Sequence, residues 1–172
     1  DFRGIMGKTM DVIAAKFFPD MPEKERMELL DKCGEYENEY LSGHGAVLYP
    51  GVEETFAKLK EKYELYIVSN CQSGYIEAFL SYYNLGKYIS DIECYGNNEK
   101  QKEDNIALVV SRNALTDAVY VGDIQSDYES SKKAGVAFIH AAYGFGTIDD
   151  EVPEIENLSQ LPEVVEKVFA GK

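Results

Sequence analysis

The chain has 172 residues, 45% of them hydrophobic, with 31 acidic against 17 basic side chains and a formal net charge of −14. That length allows one domain with a sizeable core, or one domain plus a small insert. The charge argues against nucleic acid and anionic membranes as partners, and an anionic substrate would need a local cation. No stretch approaches the ~18 apolar residues of a membrane span, and no signal-peptide pattern opens the chain. Cys33, Cys71 and Cys94 are far apart in sequence and lack C-x-x-C spacing. They fit a reduced, cytoplasmic compartment better than a zinc site.

The sequence opens on Asp1-Phe2-Arg3-Gly4, not on Met, and reads as the middle of something longer. Residues 1–44 read as helical. Met10, Ile13, Ala14 and Phe17 fall on one apolar stripe. Pro19 and Asp20-Met21-Pro22 end that helix and start a second, with Met27, Leu30, Cys33, Tyr36 and Tyr40 expected on its inner side. Its outer side is a solvated row of glutamates, and Ser42-Gly43-His44-Gly45 should stop it as a hinge or linker.

From Leu48 the rhythm changes. Val52, Phe56 and Leu59 mark a helix, Leu65–Val68 a strand ending at Ser69-Asn70, and residues 74–84 a further helix. A short strand follows at Asp91–Tyr95, then a polar loop Gly96–Asp104 and a helix over 104–114. Ala118–Val121 is the next strand, broken by Gly122. A helix over 126–134, a strand at Val136–His140, a glycine loop with Gly144 and Gly146, and a last helix with Leu161, Val164, Val165 and Val168 inward complete the chain. Alternating helices and strands predict an α/β fold whose parallel sheet is covered on both faces.

Three of these strands end in polar residues of complementary type. Asp123 and Asp127 follow the Gly122 break, where ligands of open α/β sheets sit beyond the strand ends. Oxygen ligands of this kind suit Mg²⁺, which takes one or two carboxylates, waters and substrate phosphate. The plainer alternative is a helix cap and a solvated first-turn acid. Ser69 and Asn70 offer a hydroxyl, an amide and backbone N–H groups for phosphate oxygens, or simply a helix cap. Lys100 and Lys102, in the loop before a helix, could neutralise a phosphate or remain surface lysines. Neither His44 nor His140 has an acid or serine partner nearby in sequence.

In this order (Ser/Asn, Lys, then Gly-Asp-x-x-x-Asp) the chain resembles the haloacid dehalogenase superfamily, in particular its phosphoglycolate-phosphatase-like members with a helical cap. Leu65–Asn70 resembles the second motif, Lys102-Glu103-Asp104-Asn105-Ile106 the third, and Val121–Asp127 the fourth, followed by the similar Lys132-Lys133-Ala134-Gly135-Val136. The resemblance implies a parallel three-layer Rossmann-like core over residues 45–172 and an all-helical cap, partial, over residues 1–44. It implies Lys102 and Asp123 as catalytic residues, and Ser69, Asn70 and Lys102 as phosphate-binding. Asp123 and Asp127 would serve a Mg²⁺ cofactor, Asp127 as ligand or through a water. In the cap, Lys8 in Gly7-Lys8-Thr9 would meet the substrate, with Arg3 a similar candidate or either an exposed surface group. The partner implied is a small phosphorylated metabolite, hydrolysed by a cytoplasmic monomer or homodimer.

The family's first motif, Asp-x-Asp, does not occur in these residues. In the family its first Asp is the nucleophile that forms an aspartyl-phosphate, so that residue is expected upstream of Asp1. The resemblance places its strand between Leu65–Val68 and Ala118–Val121. Without it, the four strands should form two pairs around a gap, and residues 1–172 alone should fold poorly and be inactive. A phosphosugar mutase and a non-catalytic phosphate-binding or regulatory module stand as alternatives. A dehalogenase fits the Lys102/Asp123/Asp127 set less well, and the motif order counts against a receiver domain.

Overall fold

The computed structural model describes residues 2–171; the start at Asp1 and the side chain of Arg3 lie outside what is described. Two helices come first, α1 (Met10–Phe17) and α2 (Glu23–His44). The core follows: α3 (Val52–Lys60), β1 (Leu65–Ser69), α4 (Tyr75–Tyr82), β2 (Ile89–Cys94), α5 (Tyr95–Asn98) and α6 (Lys102–Arg112). It continues with β3 (Val119–Gly122), α7 (Gln125–Lys133), β4 (Ala137–Ala141), β5 (Glu154–Ile155) and α8 (Leu161–Ala170). Among the described residues no helix is long and apolar enough to cross a membrane.

The strands form two separate parallel sheets, β1-β2 and β3-β4-β5. No ladder joins β1 to β3 among the described residues, so the expected gap is present. It is a cavity of about 650 Å³, lined by Tyr66, Ile67 and Val68 on one side and Val119, Tyr120 and Val121 on the other. One side-chain bond spans it: the Tyr120 hydroxyl donates to the Val68 carbonyl at 2.9 Å. β5 is an addition to the expected strands. Its two residues in the polar stretch Pro153–Asn157 carry no alternation to reveal them, and β4 recruits them edge-on.

A core apolar cluster packs Leu59 of α3 and Leu161 and Val165 of α8 against Ile139, Ala141 and Ile155. The opposite face of β4 sets Phe138 against Tyr128 of α7, ring centroids 5.5 Å apart. Helices therefore cover both faces, as the parallel pattern requires. The structure is an α/β Rossmann-like core plus a helical cap.

Three expectations change. The second helix runs on through Ser42 and Gly43 to His44, and Gly45, at φ +64°, is what ends it. The inner side of α2 also differs: Gly34 is buried and packs on Gln72, while Cys33, Tyr36 and Tyr40 are exposed. A glycine here brings the helix close to the β1–α4 loop, and this rotates the aromatic residues outward. Lastly, Gly96–Asp104 is not all loop: α5 occupies its start, and α6 begins at Lys102, capped by Gln101.

Candidate functional site

The chain ends of β1 and β3 carry the polar groups singled out from the sequence. At the β3 end, Gly122 is followed by Asp123, and α7 begins two residues later. That tight entry folds Asp127 back, so that its Oδ2 accepts from the Asp123 N–H at 3.1 Å. Gly122 is required by this approach, since a Cβ there would lie 2.5 Å from Asp127 Cβ. Asp123 Oδ2 accepts from the Phe145 N–H at 2.8 Å, and Gly144 packs directly against the Asp123 side chain. The glycine loop thus lies on the site and adds a backbone donor that sequence did not single out.

Lys102 reaches the same place from α6. Its Nζ forms an ion pair with Asp127 Oδ1, both residues being buried at 8% and 4% exposure. Burial alone would lower the Lys102 ammonium, but Tyr120 and Asp127 outweigh it and hold the group above its ordinary value. The ammonium also lies 5.8 Å from the centre of the Tyr120 ring. Removing either partner of such a pair typically costs about 3–5 kcal/mol, because the other charge is left buried. Lys100 is exposed.

The register that selects Lys102 over Lys100 is built by residues that sequence did not assign. Asn105, fully buried, accepts from Asn98 Nδ2 at 2.7 Å and donates to the Lys100 carbonyl at 3.2 Å, fixing the turn ahead of α6. Glu103 accepts from Ser130 at 3.1 Å and Lys133 at 2.9 Å, clamping the start of α6 to the later turns of α7. The apolar stripe Ile106–Val109 extends back to Lys102 at helical spacing. That was the available signal that Lys102 points inward.

At the β1 end, the Ser69 hydroxyl accepts from the Cys71 N–H at 3.3 Å. The Asn70 side chain donates to the Gly7 carbonyl at 2.8 Å, while its Oδ1 is buried without a partner. Gly7 also lies against the Ile124 side chain. The segment ahead of α1 therefore touches both strand ends, and exposed Lys8 follows Gly7 there. The histidines lie elsewhere in character: exposed His44 stacks on Tyr40 at 4.3 Å, and His140 is buried with Nδ1 3.6 Å from Glu154.

The donor set can be tested against a metal. Among the described residues no three His, Cys, Asp or Glu side chains gather as a metal cage. Both oxygens of Asp127 already accept bonds within the protein. Asp123, half-buried, is then the better placed carboxylate, and one such oxygen ligand fits Mg²⁺ completed by waters and substrate phosphate.

A family model described as haloacid dehalogenase-like hydrolase matches residues 1–141. The phosphoglycolate phosphatase of Shigella boydii is 26% identical over 148 residues, which is 79% of this chain and 57% of that protein. The chain thus spans somewhat over half the length of the curated relatives it matches. In structure it is similar to a haloacid dehalogenase-like family hydrolase from Streptococcus pneumoniae, with a TM-score of 0.74 at 17% identity over 94% of this chain and 79% of that one. A HAD phosphatase from Thermococcus onnurineus superposes with a TM-score of 0.69 at 22% identity over 83% and 69%. At these identities the structural likeness concerns the fold.

Proposed function

Because the chain belongs to the haloacid dehalogenase-like hydrolase family, we propose that the whole protein is a Mg²⁺-dependent phosphatase of a small phosphorylated metabolite, phosphoglycolate-like or a sugar phosphate. The observation that carries this reading is the buried Lys102–Asp127 pair set beside Asp123 at the end of β3. An exposed pair would be a surface ornament; a buried lysine beside two carboxylates supports a site for a cation, through which a chain of charge −14 can hold an anion.

In this reading Asp123 holds the metal, and Asp127, fixed by Lys102 and by the Asp123 N–H, orients it. When bound, Mg²⁺ supplies positive charge to the phosphoryl oxygens. Lys102 supplies a second positive charge from the α6 side. The Ser69 hydroxyl and the backbone N–H groups of the β1 end take the remaining oxygens, the positioning and electrostatics that phosphoryl transfer depends on. An attacking carboxylate would come from outside these 172 residues and pass through an aspartyl-phosphate. Lys8, beside the Asn70–Gly7 bond, is assigned to the leaving group.

The test is hydrolysis of phosphoglycolate, sugar phosphates and a generic aryl phosphate by the whole protein across a Mg²⁺ titration, with wild type and Asp123→Asn. The expected result is metal-dependent turnover that falls by orders of magnitude in the variant. Equal activity in both would remove Asp123 from the metal. Orthophosphate binding without any turnover would favour a non-catalytic phosphate-binding module.

A further inference from the structure

β1 and β2 end side by side, with Ser69 and Cys94 as register partners. Beyond them the two chains stay together, the Gly96 N–H donating to the Cys71 carbonyl at 3.0 Å. This closeness depends on Gly96, where a Cβ would stand 2.1 Å from the Ser73 nitrogen and 2.7 Å from Gln72 Cα. The approach brings two cysteines from separate elements together, Cys94 ending β2 and Cys71 lying two residues past the end of β1. The Cys94 thiol donates to the carbonyl of Gln72, the neighbour of Cys71, at 3.6 Å. Cys94 is buried at 1% exposure and Cys71 is partly exposed, so of the two it is the residue nearer to solvent. Cys33, the third cysteine, is exposed on α2.

We propose that Cys71 and Cys94 form an oxidation site, a thiol pair that peroxide converts to an intramolecular disulfide. The arrangement is that of a partly exposed cysteine with its resolving partner on the adjoining chain. The Cys71 hydrogen bond holds the Cys94 thiol below its ordinary range against the opposing effect of burial, helped by the Asn97 and Gly96 N–H groups. The same bond, together with burial, pushes Cys71 up.

The chemistry balances with hydrogen peroxide as the oxidant. Cys71 sulfur attacks one peroxide oxygen while its own proton passes to the departing oxygen. An S–O bond forms, the O–O bond breaks, and water leaves. Cys71 is then a sulfenic acid, oxidised by two electrons, and the peroxide is reduced. Cys94 sulfur next attacks Cys71 sulfur: the S–S bond forms and the S–O bond breaks. The departing hydroxide takes the Cys94 proton and leaves as water. Reduction by a dithiol reverses the change. The bond would fasten the chain two residues past Ser69 to the end of β2.

The experiment treats the whole, natively folded protein with hydrogen peroxide, alkylates the remaining thiols and maps the peptides by mass. The expected product has lost two hydrogens, carries a Cys71–Cys94 cross-linked peptide and reverts with dithiothreitol. Cys94→Ser should stop at a Cys71 sulfenic acid trapped by dimedone, and Cys33→Ser should react as wild type does. The wild-type map needs no variant to fold, so it decides alone. Cross-links confined to Cys33, or alkylation of both Cys71 and Cys94 after peroxide, would overturn the proposal. Catalysis does not enter the readout, so failure here is separate from failure of the phosphatase reading.

Discussion

Strand β4 and strand β1 are comparably apolar, yet the structure treats them differently. Four of the five residues of β4 are buried, and none of the five in β1 is. β4 has a neighbour on each side, while β1 has β2 on one side and the cavity on the other. β3, across the cavity, buries only Gly122. Burial in a parallel sheet is thus conferred by flanking strands as much as by composition, and the strands that line the middle of this molecule have the exposure of edges.

The site divides along the same line, with charge at the β3 end and uncharged groups at the β1 end. The largest effect expected from breaking that division is at Lys102. Lys102→Ala in the whole protein should lower turnover on the order of 10²–10³-fold, the usual loss when one group aimed at developing charge is removed. Lys100→Ala should change little, and the reverse ranking in steady-state assays would move the anion site to the exposed lysine.

The burial contrast can be sharpened directly. Ile139→Ala, in β4, should destabilise by about 2–5 kcal/mol. Ile67→Ala, on the cavity wall, should cost less than half as much, read as shifts in urea midpoint. Equal costs would mean that the inner strands are as tightly packed as the outer ones.

Asp127→Asn probes the charged end alone. A carboxylate that orients Asp123 and the metal predicts about a 10–100-fold loss of turnover. A loss as deep as that of Asp123→Asn would make Asp127 a ligand in its own right.

The smallest effect concerns acid stability at the other sheet. Burial works to raise the Glu93 carboxyl of β2. Hydrogen bonds from Asn97 Nδ2 and the Cys94 N–H, with the Arg112 guanidinium at 2.9 Å, outweigh it and hold the group below the usual carboxylate range. A depressed carboxylate stabilises the fold above its unfolded pKa, and that contribution is lost as pH falls through the folded value. Glu93→Gln should therefore flatten the decline in stability below about pH 4.5. The change should be about 1 kcal/mol, since Arg112 is partly exposed and screened. An unchanged acid limb in denaturant melts from pH 7 to 3 would assign that decline to other groups.

Much of this was legible in the sequence where local and tertiary demands coincide. β-branched runs ended by polar residues located β1 and β3, and the Gly122 break located Asp123. The two-sheet division with its gap followed from the family resemblance. What sequence hid depends on contacts distant along the chain. Asn105 looked like an ordinary helix residue, and its role comes from Asn98 and the Lys100 carbonyl. The inward aromatics expected on α2 lost to Gly34, because close packing against Gln72 outweighs an apolar stripe. β5 has no local pattern at all and exists because the β4 edge offers it partners.

The contacts of Gly7 have a mechanical consequence. Its carbonyl is held by Asn70 of one sheet and its Cα rests on Ile124 beside the other, although no ladder joins those sheets among the described residues. The segment ahead of α1 is thus a strut between two plates, sharing that task with the Tyr120–Val68 bond. A ligand that displaced it would release Asn70 and Ile124 together, so access to the site and the alignment of its two ends are tied at one residue.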